Sequence, residues 1–306
     1  MRQRLRGYFP IALTPFTQDG TLIWADLGRE FDFIARSGAH GMVWPVNDSE
    51  YTLLPFPERV QGFSLAVDTI AGRLPVVLGV ADTSRAGAVA LAGAAAKAGA
   101  DVVIAMPPWD VKLGTSAQVT DYYRAIADAA GVPVVIQNLS GPRGSDLTSQ
   151  QVADLCHDIP LVQYVKEERF RQASRVSELV GLMGEGLKGV FSGGWTLNVV
   201  AMHRRGAIGN MRGTSVPEVG ARIWDLMEAG DEAAARELEE RLDVLDRAKL
   251  AVQTVQGVKA LLVRRGIFTS AAMRNTAPRA LDEGLLHELY HGLDLLTPYL
   301  TKGIRR

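Results

Sequence analysis

Residues 133–167 read PVVIQNLSGPRGSDLTSQQVADLCHDIPLVQYVKE, and their pattern decides the fold. Two short runs, PVVIQNL (133–139) and LVQYVKE (161–167), are rich in β-branched residues and bracket an interval of helical character. Thr148 or Ser149 is placed to cap that helix. A strand as apolar as the first suits a parallel sheet buried on both faces. The unit recurs in both directions along the chain. Further strand candidates are YFPIALT (8–14), GMVWPV (41–46), PVVLGVA (75–81), DVVIAMP (101–107), LKGVFSG (187–193) and AIGNMRG (207–213). Between them Leu27, Phe31 and Ile34 share one helical stripe, as do Val119, Tyr122, Ile126 and Ala130, and Thr83 or Ser84 is another N-cap. Eight strands, most followed by a helix, predict a closed (β/α)8 barrel rather than an open doubly wound sheet.

After residue 214 the pattern turns helical throughout: around Val219–Glu228, Asp231–Leu250, Val255–Arg265 and Asp282–Leu300, punctuated by Gly230 and Gly266. The expected organisation is a barrel over residues 1–214, with residues 215–306 as a helical extension packed on it. The chain of 306 residues is 47% hydrophobic and 22% charged, enough for one large core. With 33 basic and 34 acidic residues it has no field directed at nucleic acid or an anionic membrane. One cysteine, Cys156, excludes a disulfide framework and fits a reducing compartment. The opening MRQRLRGYFPIALTPF is interrupted by Pro10 and Pro15 and reads as neither signal peptide nor membrane span. The expectation is a cytoplasmic protein acting on a small molecule.

Barrel enzymes place their chemistry at the C-terminal strand ends and the loops that follow. Those positions are Thr14, Asn47-Asp48-Ser49-Glu50, Pro107-Pro108-Trp109-Asp110, Gln137-Asn138, Lys166-Glu167-Glu168, Ser192-Gly193-Gly194 and Asn210-Met211-Arg212-Gly213. Lys166 is the informative one. Strand alternation puts Val162, Tyr164 and Lys166 on one face, with Tyr164 about 6.6 Å below the lysine. Glu168 shares that parity if strand geometry reaches so far. An inward Lys166 lies at the mouth of an apolar barrel, where desolvation favours the neutral amine that attacks a ketone. The plainer alternative is a surface lysine neutralised by Glu167 and Glu168. His287-Glu288-Leu289-Tyr290-His291 matches the H-E-x-x-H zinc pattern. The tail behind it offers no third ligand, and its leucines read as one face of a packed helix, so no metal is expected.

At this point the chain resembles the dihydrodipicolinate synthase / N-acetylneuraminate lyase family of class I aldolases, over essentially its whole length. GYFPIALTPFTQDGTL is similar to the family's first strand, and Ser49-Glu50 with YTLLPFPERV to the end of its G-T-T-G-E loop. AMPPWD, VVIQNLSGPRG and QYVKEE are similar to its P-Y-Y, Y-N-x-P-x-R-T-G and lysine segments. GAIGNMRG, AGDEAAARELEERL and GVKALLVRRG resemble its last strand and helical tail. The resemblance implies a barrel lyase without cofactor, in which Lys166 forms a Schiff base with a 2-keto acid, and a homotetramer built as a dimer of dimers.

Departures from the family pattern narrow the reading. The loop's threonines fall on Asn47 and Asp48. The relay tyrosine falls on Gln137 and its partner on Trp109, while Pro142 takes the place of an arginine and Arg143 follows. These losses count against the synthase itself. The pattern N-x-S-E, M-P-P, V-x-Q, Y-x-K-x-E and A-x-G-x-M is similar to the branch of 2-keto-3-deoxy-sugar-acid dehydratases, L-2-keto-3-deoxyarabonate dehydratase in particular. The expected catalytic set is Lys166, Tyr164 and Gln137. The expected substrate-binding set is Asn47, Asp48, Ser49, Trp109, Ser192, Gly193 and Met211. An aldolase or condensing synthase using pyruvate, and a non-catalytic keto-acid-binding paralogue, remain open beside the dehydratase.

Overall fold

The computed structural model describes residues 5–108, 116–141, 146–194, 199–252, 254–274 and 281–301. Its centre is a ring of eight parallel strands: β1 (Gly7–Ile11), β2 (Met42–Trp44), β3 (Val76–Gly79), β4 (Val102–Ala105), β5 (Val134–Leu139), β6 (Val162–Glu168), β7 (Gly189–Ser192) and β8 (Gly209–Gly213). Each strand pairs with the next in sequence, and β8 returns to β1, so no edge is left unpaired. Between the strands run α1 (Trp24–Arg36), α2 (Phe56–Ile70), α3 (Arg85–Ala98), α4 (Ser116–Ala130), α5 (Ser149–Asp158), α6 (Gln172–Gly181) and α7 (Val199–Arg204). Side-chain caps fix several helix starts. Ser84 accepts from the Gly87 N–H at 2.9 Å, and Thr148 from the Gln151 N–H at 3.1 Å. The fold is the (β/α)8 barrel that the strand count predicts.

Alternation divides every strand between two cores. Phe9, Ile11, Val43, Val77, Ile104, Val135, Tyr164, Phe191 and Met211 fill the barrel interior. Met42, Trp44, Leu78, Val103, Ile136, Val165 and Val190 face the helices in the outer layer. The interior is therefore a packed plug, and openings can form only beyond it, at the two ends of the strands.

After β8 come α8 (Pro217–Glu228), α9 (Glu232–Ala251), α10 (Thr254–Arg264) and α11 (Glu283–Asp294). Helix α8 lies against β1, and α9 lies against α8 and α11. Their shared core holds Trp224, Leu238, Leu242 and Leu289, each worth roughly 1.5–3 kcal/mol relative to exposure. On α11, Leu289 and Leu293 are buried while His287 and His291 face solvent. Among the described residues no group of three or more His, Cys, Asp or Glu could hold a metal ion, and no helix is long and apolar enough to cross a membrane.

Candidate active site

Register with β5 and β7 sets the direction of each side chain on β6. Lys166 pairs with Gln137 on one side and Phe191 on the other, and Glu168 still pairs with Leu139. The strand thus runs one residue past the predicted end at Glu167. Tyr164, Lys166 and Glu168 all fall on the inward face, and Glu167 falls on the outward one. Lys166 is 2% exposed. Its Nζ lies 3.0 Å from Glu168 Oε1, and the other oxygen of that carboxylate accepts from Gln137 Nε2 at 2.8 Å. The wholly apolar setting expected around the amine is therefore absent. The lysine sits in a buried chain, Lys166–Glu168–Gln137, that spans two adjacent strands.

Room for this chain comes from β7. A Cβ added to Gly193 would stand 2.5 Å from Lys166 Cε, 2.6 Å from Glu168 Cγ and 2.8 Å from Glu168 Oε1. Gly193 itself is tied down by its N–H, which donates to the Glu167 carbonyl at 3.2 Å. The strand's outward face supports the same corner. Asn138 donates to Glu167 at 2.9 Å, and the Arg169 N–H donates to its other oxygen at 2.9 Å. Burial nevertheless pushes Glu167 above the usual carboxylate range.

Tyr164 packs edge-on to Phe191, one layer below Lys166. It also lines a cavity of about 700 Å³ at the N-terminal ends of the strands, together with Leu5, Leu74, Pro75, Gln163 and Lys188. That cavity lies at the opposite end of the barrel from the Lys166 chain. Met211 is fully buried within the same interior core. Ser192 turns outward, because alternation assigns the inward place on β7 to Phe191, and its hydroxyl accepts from Asn210 Nδ2 at 2.8 Å. At this corner β7 meets the inward face through Gly193 rather than the Ser192 side chain.

The loop after β2 forms the opposite wall. Asn47, Asp48 and Ser49 make one turn of 3-10 helix, whose leading N–H groups lack intrahelical partners by geometry. The Ser49 hydroxyl is already used: it donates to the Ala12 carbonyl at 2.5 Å and accepts from the Val46 N–H at 3.2 Å. Glu50 anchors the turn. It has left-handed backbone (φ 56°) and takes the Lys259 ammonium of α10 and the Arg274 N–H at 3.2 Å. Asp48 is half-buried. Burial pushes its carboxyl up to about 6, against the pull of the Lys166 ammonium. Trp109, Pro142 and Arg143 lie outside the described residues.

Two groups at the mouth were not in the expected site. Glu168 was a matter of parity alone, and its use depended on where β6 ends. Lys249, on the last turn of α9, reaches the C-terminal end of β8, where its ammonium lies 3.4 Å from Ser215 Oγ, and no local pattern announces it.

A closed barrel with a buried lysine at a strand's C-terminal end, paired to a carboxylate, defines a class of protein: one equipped for amine chemistry on a small carbonyl compound. Comparison gives the family. The model of the dihydrodipicolinate synthetase family matches residues 4–283, and the chain belongs to it. It is thus a lyase of the Schiff-base type, as the members of that family are. The L-2-keto-3-deoxyarabonate dehydratase of Azospirillum brasilense is 28% identical over 279 residues, spanning 90% of this chain and 89% of the relative. The 4-hydroxy-tetrahydrodipicolinate synthase of Rhizobium meliloti is also 28% identical, over 92% of this chain and 98% of the relative. The crystal structure of dihydrodipicolinate synthase from Rhodopseudomonas palustris superposes with a TM-score of 0.85 at 26% identity, covering 95% of this chain and 98% of that one.

Proposed function

We propose that the protein dehydrates a 2-keto-3-deoxy sugar acid, as its relative L-2-keto-3-deoxyarabonate dehydratase is named to do, with Lys166 as the Schiff-base lysine. The single observation that carries this reading is the Lys166–Glu168–Gln137 chain. The neutral Lys166 amine adds to the C2 ketone and water leaves, giving an iminium that withdraws electrons from C3. A base takes one C3 proton to give the enamine. The C4 hydroxyl then leaves as water after accepting a proton. Hydrolysis of the remaining imine frees the dehydrated keto acid and restores Lys166. The iminium is the electron sink, so the scheme needs no cofactor.

Glu168 is the base in this scheme. It is in contact with Lys166, so it is placed to take the proton the amine must lose, to return it to the carbinolamine hydroxyl that departs as water, and then, again a carboxylate, to take the C3 proton of the bound iminium and pass it to the departing C4 hydroxyl. Gln137 stands where synthases carry the relay tyrosine. It has no proton to exchange near neutral pH, but it orients Glu168 by donating to it. The turn of Asn47 and Asp48 and the backbone around Gly193 bound the substrate, and Tyr164 and Met211 support the floor from below. We assign the assembled enzyme as a homotetramer, which light scattering on the purified chain checks.

Borohydride reduction in the presence of pyruvate or L-2-keto-3-deoxyarabonate tests the adduct, and peptide mass mapping must place it on Lys166. The product made from L-2-keto-3-deoxyarabonate then separates dehydration from retro-aldol cleavage, which would release pyruvate. Ligand binding without any adduct would establish a non-catalytic paralogue and end the proposal.

A further inference from the structure

The ladder between β6 and β7 stops one residue short of the site. Its last pair is Glu167 with Ser192, and the Gly193 N–H adds a final bond to the Glu167 carbonyl at 3.2 Å. On its other side β6 continues, because Glu168 still pairs with Leu139 of β5. Glu168 and Gly193 therefore face each other past the last rung between their own two strands. A side chain fills that place. Gln172, the first residue of α6, donates through Nε2 to the Glu167 carbonyl and, at 2.5 Å, to the Gly193 carbonyl. Both acceptors are carbonyl oxygens, so the NH2 end of the amide must stand there, and its two hydrogens serve the two bonds. The turn that returns Gln172 to the strand end is itself pinned. Arg169 donates to the Leu147 carbonyl at 2.7 Å and to Asp146 at 3.2 Å, and the Phe170 N–H donates to Ser140 Oγ at 3.0 Å. Arg171 then takes left-handed backbone (φ 61°) just before the helix.

We infer that Gln172 is a positioning residue for the Lys166–Glu168 pair: its amide acts as an extra rung between β6 and β7 and keeps the end of β6 seated beside Gly193. The rung grips the backbone at the two points that matter. The Glu167 carbonyl belongs to the peptide unit that carries the Glu168 N–H, so holding it fixes where the Glu168 side chain starts. Gly193 is the residue whose missing side chain leaves room for Lys166 Cε and Glu168 Cγ. Without the rung the two strand ends are free to part at this corner, and the 3.0 Å contact between Lys166 Nζ and Glu168 Oε1 loosens with them. The Gln172 amide has no proton to exchange near neutral pH and is spent on carbonyl oxygens, so it acts through the backbone it holds. Its effect on rate rests on the Schiff-base reading of Lys166; the rung itself does not.

The test compares Gln172→Leu, which keeps bulk and helix propensity but loses both donors, with Gln172→Lys, whose ammonium still offers donors to both carbonyls. Pyruvate is trapped with borohydride on the intact protein, and the adduct on Lys166 is followed by mass against time. At saturating pyruvate the rate should fall by about 10- to 100-fold in Gln172→Leu, as a small displacement of a reacting group predicts. The half-saturating pyruvate concentration should change by less than about threefold, because ground-state binding is not what the rung supplies. Gln172→Lys should recover most of the rate. Amide hydrogen exchange gives a second readout that needs no substrate: the Gly193 N–H should exchange about 3- to 10-fold faster in Gln172→Leu than in the wild type. A trapping rate within about twofold of wild type in Gln172→Leu, where displacement predicts far more, overturns the inference, and so does a loss that Gln172→Lys fails to recover. If the wild type traps no pyruvate, the Schiff-base reading falls by itself, and exchange at Gly193 decides the rung: unchanged protection there overturns it. If Gln172→Leu does not fold, Gln172→Ala carries the same comparisons.

Discussion

Gly193→Ala isolates the geometry on which the proposed chemistry depends. The backbone at Gly193 is not left-handed, so alanine meets no conformational penalty there. The cost is spatial. The new methyl would lie 2.5 Å from Lys166 Cε and 2.6 Å from Glu168 Cγ, where ordinary contact begins near 3.4 Å. Both neighbours must retreat by most of an ångström, or β7 must move away from them. Overpacking of this kind costs about 1–3 kcal/mol of stability, which a barrel of this size can absorb. The effect on chemistry is larger, because a displacement near 1 Å at a reacting group is worth about 100-fold in rate. The next residue provides the control. Gly194 is left-handed (φ 89°), and a methyl placed on it would have nothing within 4 Å, so Gly194→Ala is strained by about 1–2 kcal/mol without touching Lys166. Borohydride trapping with pyruvate, timed and read by mass, should therefore slow by about 100-fold in Gly193→Ala and stay close to wild type in Gly194→Ala, while thermal melts report similar losses for both. Equal trapping rates in the two variants would refute the claim that the Lys166–Glu168 chain is seated against β7.

Glu168→Gln keeps the shape of the chain but removes its base; we expect turnover to fall by about 100-fold or more while pyruvate still binds, read as kcat against Kd. Lys259→Met strands the buried Glu50 carboxylate and should lower unfolding free energy by about 3–5 kcal/mol, whereas the double variant with Glu50→Gln should recover part of that loss in denaturant melts. Burial pushes Glu239 up to about 7 in the folded chain. In the folded state it holds its proton where the unfolded chain has lost it, so its contribution to stability is fullest below the unfolded value and fades as pH rises toward 7. Glu239→Gln, which still offers an oxygen to the Val200 N–H, should flatten that decline by up to about 3 kcal/mol, checked by denaturant midpoints between pH 4 and 8.

The barrel was legible because its signal is repeated: each apolar β-branched run followed by a helical stripe says the same thing, and eight repetitions close the ring. The inward face of β6 was legible too, since alternation couples Lys166 to Tyr164 wherever the strand begins. What alternation cannot supply is a strand's end. Whether Glu168 joins Lys166 or starts a loop depends on whether β5 is long enough to pair with it, and the Leu139–Glu168 register is a property of two segments thirty residues apart in sequence rather than of either alone. The same logic separates Ser192 from Gly193. Phe191 takes the inward place on β7, so the serine that looked like a ligand group turns to Asn210, and the glycine that offers no functional group makes the space. Lys249 was beyond reach for a further reason. It sits on a helix whose other buried positions are mostly leucine and alanine, and only the packing of α9 beside β8 brings its ammonium to Ser215. Sequence periodicity thus finds side chains that share an element, while a site made of Gln137, Lys166, Glu168 and Gly193 is fixed by the register between neighbouring strands. For that reason the strand registers, rather than the lysine alone, decide which side chains meet at the mouth.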